Sequence, residues 1–160
     1  MRSHAKFIAV DLGASSGRMM AGSWDGKAFS LEELHRFDNS ALSIGAGLYW
    51  NAPSIWSHLQ DGLRKYRSLY LDSPVAISVD AWGVDFGLLD KRGHLMGNPV
   101  HYRDPRTQGV PKDLFKIIPE AEVFAETATQ TMEINTLFQL FSMVQTKAPD
   151  LDSAETLLMI

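Results

Sequence analysis

Val10-Asp11-Leu12-Gly13-Ala14-Ser15-Ser16-Gly17-Arg18 joins one apolar run, Phe7 to Val10, to a second that begins at Met19. Between them lies a turn of small residues, with an acid before it and an arginine after it. Gly13 and Gly17 open backbone conformations closed to other residues and let the main chain come close to a ligand. The turn from Ala14 onward, with the hydroxyls of Ser15 and Ser16, suits an anion-binding concavity, and Asp11 suits a magnesium ion or its water. Arg18 adds a fork of donors matched to phosphate oxygens. The stretch reads as a phosphate-handling hairpin. Taken alone it also fits a strand that simply ends in a solvated Gly/Ser turn.

No Gly-x-x-x-x-Gly-Lys-Ser/Thr loop is present, and no Gly-x-Gly-x-x-Gly opens a helix after the first run. Downstream, Met19–Trp24 and Lys27–Phe37 flank Asp25-Gly26, a strong hairpin signal. Residues 5–37 are therefore expected to form a three-stranded meander, with Phe29, Leu31 and Phe37 in partial alternation. Residues 38–50 read as a long polar loop. Asn51 and Pro53 start a helix, and Ile55, Leu59, Leu63, Tyr66 and Tyr70 share one face of it, directed at a core. After Asp72-Ser73-Pro74, the run Val75–Val79 predicts a short strand of the buried kind. Three strands, a helix and a strand is the order of the ribonuclease H-like α/β fold, a mixed sheet with helices on its faces and a right-handed crossover.

A second stretch, Asp80-Ala81-Trp82-Gly83-Val84-Asp85-Phe86, places two acids, an indole and a glycine at the carboxyl end of that strand. Ligands of open α/β sheets bind at such ends. Trp82 would offer a flat face to the C–H side of a sugar, and Gly83 a reachable backbone N–H or carbonyl. Asp80 and Asp85 fit the same wall, or else are solvated turn residues. Asp90-Lys91-Arg92-Gly93 predicts another hairpin turn. In Tyr102-Arg103-Asp104-Pro105-Arg106 the prolines hold an extended segment that could aim Arg103 or Asp104 into a site. Alternatively, Arg103 and Asp104 form a structural pair; Arg106 is expected in solvent. Helical stretches follow at 111–127, interrupted by Pro119, and from Asn135-Thr136 towards Pro149, with a last strand at Thr156–Ile160.

The 160 residues are expected to make one domain. The chain has no cysteine, which removes disulfides and thiolate chemistry, and its net charge of -4 gives no footprint for nucleic acid. No signal-peptide core or membrane-length apolar run is seen, so the expectation is a cytoplasmic protein. The five histidines lie scattered in sequence with no pair at ligand spacing, and no dedicated transition-metal site is expected.

With both stretches in place, the chain resembles the FGGY carbohydrate kinases and, among them, the rhamnulokinases. The resemblance rests on Ala9–Arg18, His35-Arg36-Phe37, Asp80–Phe86, Tyr102-Arg103-Asp104 and Asn135–Leu140, in order along nearly the whole chain. Ala81 departs from the threonine usual at its position. The resemblance implies an N-terminal domain of an enzyme that transfers the γ-phosphoryl group of ATP, with Mg2+, to a hydroxyl of L-rhamnulose. It implies nucleotide phosphates at Ala14, Ser15, Ser16, Gly17 and Arg18, the metal near Asp11, and the sugar near Gly83 and Trp82. Asp80, Asp85 and Arg103 are further sugar-side candidates. Family members are longer, and their base aspartate falls beyond Ile160, so the chain alone is expected to be inactive and to self-associate through an exposed inter-domain face. Two other readings are a non-catalytic sugar-binding module, and a kinase of another deoxyketose or pentulose.

Overall fold

The structure, a computed structural model, describes residues 5–160. The chain divides into two compact units, one holding the residues up to Ala41 together with Asn51–Trp82, the other Leu42–Trp50 with Gly83–Ile160.

In the first unit, β1 (Ala5–Leu12), β2 (Ser16–Trp24) and β3 (Phe29–Asp38) form the expected meander. The turn after β2 is closed by Asp25, whose carboxylate accepts from the amides of Lys27 and Ala28, with Gly26 at φ +92°. Helix α1 (Ala52–Leu69) starts at Asn51, which accepts from the Ser54 amide and leaves Pro53 in the first turn. Strand β6 (Ala76–Asp80) then pairs parallel to β1, giving the order β3-β2-β1-β6. Ile8, Val10 and Leu12 of β1, Met19 and Ala21 of β2, Leu34 and Phe37 of β3, and Tyr66 of α1 make the core.

Two expectations about this unit are corrected. The helical stripe holds at Ile55, Leu59, Tyr66 and Tyr70, but Leu63 is exposed, and the deepest helical contact is made by Gly62. A Cβ at Gly62 would lie 2.2 Å from Met19 Sδ, so glycine is what lets the helix settle on β2. Strand β6 is not buried: Ile77 and Val79 are 53% and 57% exposed. Their register with Ile8 and Val10 puts them on the core side of the sheet, but α1 packs mainly over β3 and β2 and leaves them exposed.

The β2–β3 ladder carries a bulge at Met19/Met20: Met19 pairs with His35 and Met20 with Glu33, leaving Leu34 unopposed. A bulge turns two successive side chains to one face. Leu34 and His35 accordingly both point toward α1, and Leu34 is buried.

In the second unit, the stretch read as a polar loop contains a small hairpin, β4 (Leu42–Ile44) with β5 (Gly47–Tyr49), turned at Gly45 with φ +60°. Strand β7 (Phe86–Leu89) pairs antiparallel with β8 (Thr156–Met159), and the turn at Asp90 to Gly93 is present, its carboxylate accepting from the amides of Arg92 and His94. A 3-10 turn (Pro105–Thr107) precedes α2 (Val110–Leu114), α3 (Glu120–Thr127), α4 (Thr136–Gln145) and α5 (Asp150–Ser153). Pro119 separates α2 from α3 as expected, whereas α4 stops before Pro149 is reached. Among the described residues no helix is long and apolar enough to cross a membrane.

Candidate functional site

The β1–β2 turn is held from below. Gly13 N–H donates to Ser16 O (2.9 Å), Asn39 Nδ2 donates to Gly13 O (2.9 Å), and Asn39 N–H donates to Ser15 O (3.1 Å). Asn39 is itself buried, so the turn is fixed to the end of β3. The two glycines serve here through lack of bulk: neither has positive φ. A Cβ on Gly17 would meet the Phe37 ring at 2.1 Å, and one on Gly13 would meet Ser16 O at 2.9 Å. This corrects the conformational role expected for them.

Asp11 and Arg18 are register partners, and both Nε and Nη2 of Arg18 donate to Asp11 Oδ2, the former at 3.1 Å. The pair is about half exposed, at 45% for Arg18 and 47% for Asp11. Asp11 is also in register with Asp80, and Arg18 with Arg36. Four strands therefore present a row, Arg36-Arg18-Asp11-Asp80, on the face opposite the core. Arg36 in turn pairs with Glu33, and that hydrogen bond holds the Glu33 carboxyl below its usual range. The row places two cations and two oxygen-donor anions beside a turn rich in backbone N–H groups and hydroxyls. This donor set fits phosphate and a hard, oxygen-seeking cation such as magnesium, with Asp11 and Asp80 as carboxylates near it. Sequence reasoning had Asp80 on the sugar side; in register it neighbours Asp11. Arg36 and Asn39 were not assigned a role from the sequence, and they emerge only from strand pairing.

Trp82, expected on a sugar wall, packs against the core cluster of the first unit.

In the second unit Gly83 has φ +62°, with open space where a Cβ would be. Its N–H donates to Ile160 O (3.1 Å), so the carbonyl, not the N–H, is the group left for a ligand. Gly83 lines a cavity of about 290 Å³ with Val84, Thr127, Thr129, Gln130, Thr131, Asn135 and Thr136 among its walls. That is close to the lower end of small-molecule pockets, roughly 300 Å³. A second cavity in this unit, beside Phe86 and Met143, holds about 80 Å³, too little for a sugar ring.

Asp85 does not face a ligand. It is 0% exposed and accepts from Trp50 Nε1 (2.5 Å), Tyr102 N–H (3.0 Å) and Gln139 Nε2 (2.8 Å). A buried carboxylate so completely engaged is a structural acceptor. Asp104 is likewise buried, accepting from the amides of Leu48 (2.8 Å) and Arg106 (2.9 Å). Arg106, expected in solvent, donates to Gln139 Oε1 (2.7 Å) with its guanidinium 6.0 Å from the Phe86 ring centre, and burial pulls it below the usual arginine range. Arg103 is exposed, its guanidinium 5.3 Å from the Tyr102 ring centre, and so is no partner of Asp104.

The expectation of scattered histidines is also corrected. His35 Nε2 and His58 Nδ1 lie 3.1 Å apart in the first unit, with Asp61 close by.

A model of the FGGY family of carbohydrate kinases, N-terminal domain, matches residues 6–160. The rhamnulokinase of Bacteroides thetaiotaomicron is 40% identical over 154 residues, covering 95% of this chain and 31% of that protein. The rhamnulokinase of Klebsiella pneumoniae strain 342 is 39% identical over 150 residues, covering 91% and 30%. The chain thus spans about a third of the length of these relatives. Among solved structures, a gluconate kinase from Lactobacillus acidophilus matches with a TM-score of 0.81 at 13% identity, covering 98% of this chain and 31% of that one. A xylulose kinase from Rhodospirillum rubrum matches with a TM-score of 0.79 at 14% identity, covering 96% and 32%. These likenesses agree with the ribonuclease H-like reading of the sheet, and, from the matched model together with the register that sets Asp11 against Arg18, the chain belongs to the FGGY family of carbohydrate kinases, as an N-terminal domain.

Proposed function

We propose that this chain is the phosphate- and sugar-binding N-terminal domain of an ATP-dependent ketose kinase, acting on L-rhamnulose in the cytoplasm. The observation that carries the reading is the Asn39-locked hairpin, which presents Asp11 and Arg18 side by side next to the turn. Ala14, Ser15, Ser16 and Gly17 would bind phosphate oxygens through backbone and hydroxyl groups, and Arg18 would release Asp11 to neutralise them. Asp11 would then hold magnesium, directly or through water. When bound, magnesium supplies further charge neutralisation for phosphoryl transfer. The cavity at Gly83 would seat the ketose, with Thr129, Asn135 and Thr136 facing its hydroxyls. The likeness to two rhamnulokinases at about 40% identity supports L-rhamnulose as the sugar.

The proton of the attacking hydroxyl falls to a residue of the whole enzyme outside this chain. Asp85 and Asp104 are committed to hydrogen bonds inside their unit, and Asp80 stands in the charged row beside Asp11. The exposed apolar side chains Ile77 and Val79 support self-association of the isolated chain, which sedimentation at several concentrations reads.

The test is a chimaera in which these 160 residues replace the corresponding third of the Bacteroides thetaiotaomicron rhamnulokinase. ADP release that depends on L-rhamnulose, and is lost in Asp11→Asn, is the expected result. Turnover with another ketose in preference would redirect the substrate. A folded chimaera that binds L-rhamnulose but releases no ADP would favour a non-catalytic sugar-binding module.

A further inference from the structure

We propose that His35, His58 and Asp61 form a binding site for one divalent transition-metal ion of the zinc class, which ties strand β3 to helix α1. None of the three belongs to the stretch from Asp11 to Arg18, and the kinase reading gives none of them a role in binding or catalysis, although His35 stands in the block His35-Arg36-Phe37 that the resemblance includes.

The three residues come from two rigid elements. His35 leaves β3 toward the helix opposite Met19, on the face it shares with Phe37 two residues on. His58 and Asp61 stand one turn apart on α1, the spacing that puts two side chains on one helix face. The helix is brought down onto the sheet at Gly62, the next residue, which rests on the sulfur of Met19. One contact, Gly62 on Met19, therefore sets the distance between the strand ligand and the helix ligands.

The geometry matches one shared ion. His35 Nε2 and His58 Nδ1 are 3.1 Å apart. Two donors in a tetrahedral zinc site, with bonds of about 2.0–2.1 Å, are roughly 3.3–3.4 Å apart. The donor atoms of all three residues lie within 4.8 Å of one another, and the exposed Asp61 side chain closes the rest by rotation. Asp61 Oδ1 accepts from Arg64 Nη1 at 2.7 Å, which leaves Oδ2 for a metal and supplies the outer hydrogen bond that ligating carboxylates usually have.

The imidazoles are oriented by packing. His58 stacks on Phe37 at 4.5 Å between ring centres and 10° between planes, and His35 stacks on the same ring at 5.8 Å and 24°. Phe37 is a core residue, so the rings have a fixed support. Both histidines are half-buried and Asp61 is exposed, which leaves an entry path and a position for water. Two imidazoles and one carboxylate select zinc, cobalt, nickel or copper over magnesium and calcium, which favour oxygen ligands.

The test uses the full 160-residue chain, with zinc titrated calorimetrically and cobalt(II) as an optical probe. The expected result is one equivalent of zinc bound, a cobalt spectrum of low-symmetry coordination that zinc displaces, and no response to magnesium at the same concentration. At a hundredfold excess over Kd, zinc should raise Tm by roughly 5–10 °C. His35→Gln and His58→Gln should each weaken zinc by more than the roughly 10–100-fold that loss of an outer partner costs. Because these side chains pack on Phe37, Asp61→Asn is the companion variant: it lies in solvent, should keep the metal-free Tm, and should weaken zinc at least about tenfold. His94→Gln, at the exposed turn after β7, should change nothing. Zinc binding that is absent, or that is equal in wild type and Asp61→Asn, or that is lost in His94→Gln, would overturn the proposal.

Discussion

Trp50 donates its indole N–H to the carboxylate of Asp85, 35 residues further along the chain, and neither side chain reaches solvent. Tyr102 and Gln139 complete the shell around that carboxylate, joining β5's end, the start of β7, the segment before the 3-10 turn, and α4. The second unit is thus organised around an anion that shares its sequence block with the candidate sugar residue Gly83.

Asp85→Ala would take the carboxylate away from the Trp50 indole N–H and the Tyr102 amide, while Gln139 Nε2 keeps the carbonyls of Ile134 and Val84, and the expected loss is about 3–5 kcal/mol of unfolding free energy. Asp85→Asn keeps the shape and one acceptor oxygen, and should lose less. Urea denaturation of the two variants checks this. Equal stability of Asp85→Ala and wild type would remove the residue from its structural place.

Gly17→Ala should destabilise the chain by about 1–3 kcal/mol, because the added methyl group meets a core ring rather than open space. Combined with Phe37→Leu, much of that cost should disappear, so the double-mutant cycle should show coupling well above experimental error. Additive losses would mean that backbone conformation, and not the ring, requires glycine there.

The hairpin from Val10 to Arg18 and the helix from Asn51 were legible because turn chemistry, capping and periodicity act within a few residues. The roles of Asp85, Asp104 and Arg106 were not, since their partners lie far along the chain: Gln139 reaches Asp85 across 54 residues. An acid in a Gly-rich strand end looks the same whether it faces a sugar or an indole. Val75–Val79 looked buried because composition reports hydrophobicity, whereas burial depends on which strands α1 covers. His35 and His58, 23 residues apart, meet only because α1 packs over β3, a tertiary contact that no local pattern marks.

Gly83→Ala should do two separable things. The residue sits at φ +62°, where a Cβ costs about 1–2 kcal/mol. The same methyl group would stand in open space at a residue that lines the 290 Å³ cavity, so, on the proposed seating of the ketose there, L-rhamnulose binding should weaken roughly tenfold, about 1.4 kcal/mol. Calorimetric titration of sugar and of magnesium-ATP should show the loss in the first alone.

His101 provides a pH dependence. It is buried beside Trp50, with ring centres 4.1 Å apart, and burial pushes its pKa below the ordinary 6.5; Arg103 acts in the same direction, while Asp85 and Asp104 oppose it. Its neutral form is favoured by folding, so its contribution is present above pH 6.5 and is lost as pH falls from there toward the lowered folded value. Unfolding free energy should therefore decline between pH 7.5 and pH 5.5, and the decline should be shallower in His101→Gln. Parallel curves for the two proteins would assign the slope to other groups.

The unopposed Leu34 also changes the parity of β3. On an uninterrupted strand, residues three apart leave on opposite faces, yet Arg36 pairs with Glu33 on the charged side. On the other side, His35 faces α1 at His58, while Glu32 accepts a hydrogen bond from Tyr70 at the same helix's end. Both odd-numbered partnerships exist because one residue is counted twice on the core face. Deleting Leu34 would leave Glu33 outward and Glu32 toward the helix, whereas keeping it and straightening the bulge would turn the first half of the strand over like a page, sending Glu32 to solvent and Glu33 against the helix. The bulge therefore keeps the two faces of this strand in step with each other.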